Sequence, residues 1–400
     1  MKDASAVLIV GAGIIGAGIA SALSRQGADV VLVDPDPGEG SSAGNAGLVV
    51  PSYATPMSTP ENLRTGVRSL GSRSAAVTFE RPLGLQTVLW MARFTMACRT
   101  RRVRRDTAVL HRLARQSLEL YDEMREDGLD LGLRQRGWLW LLTGSDQTSV
   151  TRTVEGLRVA GAVCEPVDAD EAHALQPNLS RAVMGGVWFP HESVMDPAQA
   201  TQTLLQDAIA HGARLVPERV VGVDSRGQTV RAVRTQSRSL DADQFVIATG
   251  AASRDTGRLF GVRVPIEPGY GWSVTLDDPS GLLEHALMGV EDHVVISPLP
   301  GRIRVTGGMR FGGRGGNQPR DDDIKALRAA AEVLVPQLRD LAVVSKWQGA
   351  RPMTPSGLPI VRRVDARNLV IAAGHGPLGV TLAPSTVKTA MRELLRRPPR

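Results

Sequence analysis

The chain has 400 residues with 47 basic and 41 acidic side chains, a formal net charge of +6. At about 150 residues per domain that length makes two or three folding units, and 42% hydrophobic with 22% charged residues excludes a mainly disordered chain. Two cysteines, Cys98 and Cys164, exclude a disulfide framework and a four-thiolate metal centre, and no metal site is expected.

Residues 6–23 carry no charge, long enough on paper to approach a membrane span. Gly11, Gly13, Gly16 and Gly18 crowd the run and split it into a short strand and a short helix. It is also a poor signal peptide, because Asp3 cancels Lys2 and polar helix continues through Ser24, Arg25 and Gln26. A cytoplasmic location is therefore expected. Gly11-Ala12-Gly13-Ile14-Ile15-Gly16 lies between that strand and that helix, the context in which such glycines bind a dinucleotide. The first permits the tight turn, the second admits the pyrophosphate, and the third lets helix pack on strand. Residues 30–33 form the next strand, and Asp34 ends it, placed to accept ribose hydroxyls and to repel a 2′-phosphate. The small polar segment Ser41-Ser42-Ala43-Gly44-Asn45-Ala46-Gly47, running on to Leu48, can lie along a long cofactor.

From about residue 81 to 126 the pattern is helical and rich in arginine. Residues 99–105 hold five arginines, read either as a solvated helix face or as a surface for anionic lipid or an acidic partner. The run lacks interleaved aromatics, so nucleic acid is not an expected partner. Residues 137–142, 266–276 and 302–306 read as strands of a more antiparallel sheet. Residues 198–211 read as a helix, 219–223 as a strand, 225–227 as a turn, and 385–396 as a closing helix after Pro384.

Three runs share one form: residues 7–13, 245–250 and 369–376 are continuous apolar stretches ending in small residues. Unbroken apolar character is what a strand covered on both faces needs, and small residues at its end let a ligand approach. One sheet is therefore assembled from the beginning, middle and end of the chain. The expected fold is α/β: a discontinuous Rossmann-like domain from residues 1–80, 196–262 and 346–400. Residues 81–195 and 263–345 make an inserted α+β substrate domain on a mainly antiparallel sheet. Gly374-His375-Gly376-Pro377-Leu378-Gly379-Val380-Thr381 is a second glycine-rich loop before a helix. Such a helix start would stabilise the negative charge of a reduced flavin, whereas an NAD dehydrogenase has no use for two such loops.

With these segments, the chain resembles the D-amino-acid oxidase superfamily of FAD-dependent amine oxidoreductases, most nearly its bacterial D-amino-acid dehydrogenases of the small-subunit type. The similar pieces are the loop from Ser41 through Tyr53 to Pro56, Arg304-Val-Thr-Gly-Gly-Met309, Gly349-Ala-Arg351-Pro-Met-Thr-Pro-Ser-Gly-Leu-Pro359 and the 374–379 loop. The resemblance implies noncovalent FAD and hydride transfer from a D-amino acid Cα–H to flavin N5, giving an imino acid that hydrolyses to a 2-oxo acid and ammonia. It implies that Arg351 clamps the substrate carboxylate, as a planar guanidinium can through two parallel hydrogen bonds. His375 falls in the flavin-facing loop, against flavin or substrate or as a structural histidine. Tyr53 and Tyr270 fall in pocket-lining segments, as substrate contacts or as packing. Val220, Val221, Thr249 and Gly250 complete the implied cofactor set.

The chain departs from the resemblance at Val380 and at Pro268-Gly-Tyr270-Gly-Trp272-Ser273, both on the implied substrate wall. Two further readings stand beside it. One is an O₂-using amine oxidase of the glycine, sarcosine or hydroxyproline kind, or a biosynthetic one. The other is a non-catalytic flavoprotein scaffold. The implied acceptors are a quinone, a dye or O₂, and residues 99–105 are the implied contact for a membrane or partner subunit.

Overall fold

The computed structural model of the chain describes residues 6–68, 77–80, 83–144, 151, 154–158, 161–312, 318–364 and 367–396. The three apolar runs become neighbouring strands. Val7–Val10 pairs in parallel with Val30–Val33 on one side and Gln244–Ile247 on the other, and Gln244–Ile247 pairs in parallel with Leu369–Ala373. Arg214–Val216 and the antiparallel Ile360–Arg363 form the two edges of this six-stranded sheet. Alternate residues serve its two faces. Val7, Ile9, Val30, Leu32, Val246 and Val370 pack against helices Ile14–Arg25, Pro197–Ala210 and Gly379–Leu395. Leu8, Val10, Val31, Val33, Phe245 and Ile247 pack against the opposite cover, which includes Val230 and Val233.

A second, mostly antiparallel sheet of nine strands begins with Val343–Met353, then Glu267–Asp277, Arg302–Gly312, Val294–Leu299, Ala286–Gly289 and Trp138–Leu142. Leu276, Val274, Ile303, Val305, Val294 and Ile296 turn one face toward helix Asp321–Leu334. The other face looks onto the carboxyl ends of the parallel strands, with a cavity of about 760 Å³ between them. The fold is thus mixed α/β, as expected.

Several boundaries differ from the sequence reading. The helical stretch is two helices, Leu85–Ala97 and Thr100–Glu126; its expected start at Arg81, with the domain limit set there, lies outside the described residues. The strand expected over 219–223 begins at Gly222 and runs to Arg226, so the turn falls at Gly227 and Gln228. Arg219 and Val220 line the cavity instead. The closing helix starts at Gly379, not after Pro384, and the proline sits inside it. Helix Thr100–Glu126 permits this: Tyr121 Oη donates to the Val380 carbonyl (2.7 Å), the acceptor that Pro384 cannot serve.

Candidate active site

The first glycine turn stands at the end of Val7–Val10. Gly11 has φ +106°, and a Cβ there would meet the Ala248 carbonyl oxygen at 2.5 Å. A Cβ on Gly16 would lie 1.8 Å from the Gly11 carbonyl oxygen, so the helix can rest on the turn only with glycine there. Gly13 is the N-cap of helix Ile14–Arg25 and offers no side chain to the first-turn amides. Ile14 N–H donates to Ser42 Oγ (3.2 Å). Asp34 accepts from Ala12 N–H (2.7 Å) and Asp36 N–H (2.9 Å), which pins the turn against the neighbouring strand. The first-turn amides beyond Ile14 and the Cβ-free cradle fit a pyrophosphate.

The 41–47 loop is held from the second sheet. Arg304, 8% exposed, donates to the carbonyls of Ala43 (2.8 Å) and Asn45 (3.1 Å), and burial lowers its pKa. Ser41 Oγ donates to the Ala350 carbonyl (2.6 Å). Asn45 Oδ1 accepts from Gly47 N–H (2.8 Å), while its Nδ2 reaches toward the Pro377 carbonyl at 3.5 Å. Thr381 Oγ1 donates to the Leu48 carbonyl and accepts from Val50 N–H. Loops from opposite ends of the chain are thereby stitched into one cavity wall.

The facing wall is the second sheet. On Val343–Met353, Trp347, Gly349 and Arg351 share the cavity face by alternation, and all three line the cavity. Across the ladder stand Ser273, Gly271 and Gly269. A Cβ on Gly271 would lie 2.2 Å from Arg351 Nη1, and one on Gly44 or Gly349 would strike the Trp347 ring. The small residues are the space those two side chains occupy. Arg351 Nη1 donates to the Gly308 carbonyl (2.6 Å). Its guanidinium has no carboxylate partner among the described residues, and burial pushes its pKa down to about 10. A sequestered cation facing a cavity without a counter-ion is a site for an anion.

His375 lines the same cavity, its Nε2 hydrogen-bonded to Thr386 Oγ1 (2.8 Å), and burial lowers its pKa to about 4, so it is neutral at pH 7. Tyr53 stands at the far end of the wall, edge-on to Trp138 and Trp140 with centroids 5.6 and 4.9 Å away. Behind it Glu192, 2% exposed, accepts from Ser52 N–H (3.0 Å), and burial raises its pKa to about 7.

The cavity brings together Gly11, Gly13, Ile14, Ile15, Asp34, Ser41, Ser42, Asn45, Ala46, Leu48, Tyr53, Val220, Thr249, Gly250, Arg351 and the loop from His375 to Thr381. Ala12, Gly16, Gly47, Val221, Tyr270 and Gly374 are outside its lining. The first three support the turn and loop from behind, and Val221 is 47% exposed. Tyr270 is displaced at the register irregularity between Tyr270 and Trp272, where Gly271 and Trp272 line the cavity in its place. Sequence reasoning missed Trp347, two residues before the Gly349-Ala350-Arg351 motif, and the loop-holding role of Arg304, which stood inside a noted motif without an assigned task.

A glycine cradle at the end of a parallel strand, a second glycine loop opposite it and a buried anion site between them define a flavin-dependent oxidoreductase. Residues 6–391 match the family model described as DAO, FAD dependent oxidoreductase, and the chain belongs to that family. It is similar to the D-amino acid dehydrogenase of Rhizorhabdus wittichii, 32% identical over 94% of this chain and 93% of the relative. The D-amino acid dehydrogenase of Granulibacter bethesdensis is 29% identical over 94% and 92%. Among solved structures, glycine oxidase from Geobacillus kaustophilus superposes with a TM-score of 0.75 at 23% identity, covering 99% of this chain and 96% of that one.

Proposed function

We propose that the chain oxidises a D-amino acid at its Cα–N bond, giving an imino acid that water converts to the 2-oxo acid and ammonia. The observation that carries this reading is the Arg351 guanidinium, without an ion pair among the described residues, in the same cavity as the dinucleotide cradle. The D series follows the names of the two dehydrogenase relatives. FAD, when bound, accepts the hydride equivalent from Cα–H.

The chain's own residues have three tasks. The glycine turn and the first amides of helix Ile14–Arg25 hold the pyrophosphate, with Asp34 fixing the turn. Arg351 binds and orients the carboxylate, which fixes where Cα–H points. Trp347, Val295 and Met288 exclude water from the reacting end. Neutral His375 holds the 374–381 loop through Thr386 and puts no competing cation beside Arg351. The assignment rests on anaerobic mixing with a panel of D-amino acids, expected to bleach the flavin. A flavin left fully oxidised by every member rejects it.

The proposed division of labour keeps residues 1–80, 196–262 and 346–400 with the cofactor and 81–195 and 263–345 with the substrate, except that strand Val343–Met353 crosses the last limit and carries Trp347 and Arg351 to the substrate on the second sheet. Quinone, dye and O₂ are the proposed acceptors, and peroxide formation in air separates an oxidase from a dehydrogenase. The proposed setting is the cytoplasm, with residues 99–105 meeting the anionic inner face of the membrane. In support, Arg99, Arg101 and Arg104 are exposed without ion pairs among the described residues. The preceding helix exposes Leu85, Leu89 and Met96 at i, i+4 and i+11. Co-sedimentation with anionic but not zwitterionic vesicles checks that contact.

A further inference from the structure

We infer that the acid taken by this site carries a single carboxylate and an uncharged, largely apolar side chain. The inference rests on the proposed amino-acid oxidation and adds the charge and polarity of the substrate's variable part. Its basis is an inventory of the cavity face of the second sheet.

The register of that sheet lays out the face strand by strand. Opposite Trp347 stands Ser273, opposite Ser273 is Thr306, then Val295, Met288 and finally Trp140. Directly opposed residues share a face, and Thr306, Val295 and Met288 line the cavity. From Trp347 to Trp140 this row contains one hydroxyl pair and no charge. The cation that serves it is Arg351, two alternations along from Trp347.

The other charged groups nearby are committed or placed elsewhere. Arg304 shares the face with Thr306, but its guanidinium is spent on the Ala43 and Asn45 carbonyls and does not line the cavity. The other charged residues that line the cavity, Arg219, Asp34 and Asp255, stand past the strands Arg214–Val216, Val30–Val33 and Gln244–Ile247, at the dinucleotide end, and Asp255 is paired with Arg258 (3.0 Å). Glu192 is behind Ser52 and outside the lining. Along this row a substrate's second carboxylate would therefore meet no free cation, and an ammonium or guanidinium tail would meet no anion. An unpaired charge in such a place is strongly disfavoured, while Val295 and Met288 accept an aliphatic or thioether chain.

The experiment compares kcat/KM of the holoenzyme, with a soluble dye as acceptor, for D-leucine, D-methionine, D-aspartate, D-glutamate and D-lysine. The expected result is a preference of at least about 100-fold for either apolar substrate over each charged one; any smaller ratio overturns the inference. Should no amino acid be oxidised, the catalytic reading fails by itself, and titration of the flavin spectrum with isovalerate and succinate still decides the cavity's preference. Isovalerate is then expected to bind at least about 10-fold more tightly, and equal or reversed affinity overturns the inference. In a further arm, Val295→Arg is expected to narrow the D-leucine to D-aspartate ratio by at least about 10-fold. An unchanged ratio in a variant that retains its flavin counts against the assigned wall.

Discussion

The Tyr121 hydroxyl and the Val380 carbonyl, 259 residues apart, meet at 2.7 Å at the one turn of the closing helix that a proline interrupts. Pro384 has no N–H for the Val380 oxygen, and Tyr121 supplies the missing donor from a neighbouring helix. Ser117 works beside it, accepting from Ser385 N–H (3.2 Å) and donating to Ser385 Oγ (3.0 Å). The same helix opens with the loop that walls the cavity, so this repair sets where Gly379 and Val380 stand.

Tyr121→Phe keeps the ring and removes the donor, leaving a buried carbonyl without a partner. A loss of about 1–3 kcal/mol in unfolding free energy is expected, measured as a lower urea midpoint at constant slope. An unchanged midpoint would mean that the proline turn has no need of Tyr121.

How much of this could be read in the residues depends on the range of the interaction. The strands Val7–Val10, Gln244–Ile247 and Leu369–Ala373 were legible because burial on both faces writes an unbroken apolar run. The glycine turn was legible because its chemistry is local. Pro384 misled because a proline reads as a helix boundary, and its remedy, Tyr121, lies far away in the chain. Tyr270 falls in a segment that the resemblance places on the pocket wall, yet a register irregularity gives Gly271 and Trp272 the cavity instead. Trp347 and Arg304 were invisible as site residues because their tasks exist only once two sheets face each other.

Glu192 predicts a stability effect with a definite sign. Burial raises its pKa from 4.5 to about 7, so the folded state holds the proton more tightly than the unfolded chain. The stability tied to that proton is complete below about pH 4.5 and is lost as pH rises toward 7 and beyond. Glu192→Gln keeps an acceptor for Ser52 N–H and removes the titration. The variant should match the parent near pH 4.5 and exceed it above pH 7, by about 3 kcal/mol at most. Thermal melts at both pH values decide, and equal melting temperatures at the higher pH would show that Glu192 ionises there at no cost.

Arg304 is expected to act on the cofactor and not on the acid. Its Nη1 donates to the carbonyls of Ala43 and Asn45, in the loop whose Ser42 meets the N-terminus of helix Ile14–Arg25. Arg304→Gln should raise the FAD dissociation constant by about 10- to 100-fold, the worth of one or two charge-assisted hydrogen bonds. At saturating FAD the KM for substrate should change little. Fluorescence titration of apoprotein with FAD gives the first quantity, and steady-state kinetics gives the second. A large rise in KM with unaltered FAD affinity would move Arg304 into the substrate site.

Arg351 combines a gain and a loss that packing alone would not produce together. Its pKa falls from 12.5 to about 10 because burial penalises the charged guanidinium, and no carboxylate among the described residues offsets that penalty. Replacing it with a flexible apolar chain, Arg351→Met, removes the penalty and gives up the bond to the Gly308 carbonyl. The ligand-free variant is therefore expected to be more stable than the parent by about 1–2 kcal/mol, read as a higher melting temperature at pH 7. The same change takes away the two parallel hydrogen bonds to a bound carboxylate. A loss of about 100- to 1,000-fold in kcat/KM should follow, or about 3–4 kcal/mol. The stabilisation that a carboxylate ligand confers on the parent protein should vanish in the variant. A variant that melts lower and still oxidises its substrate at the parental rate would mean that the cation serves the fold and the carboxylate binds elsewhere.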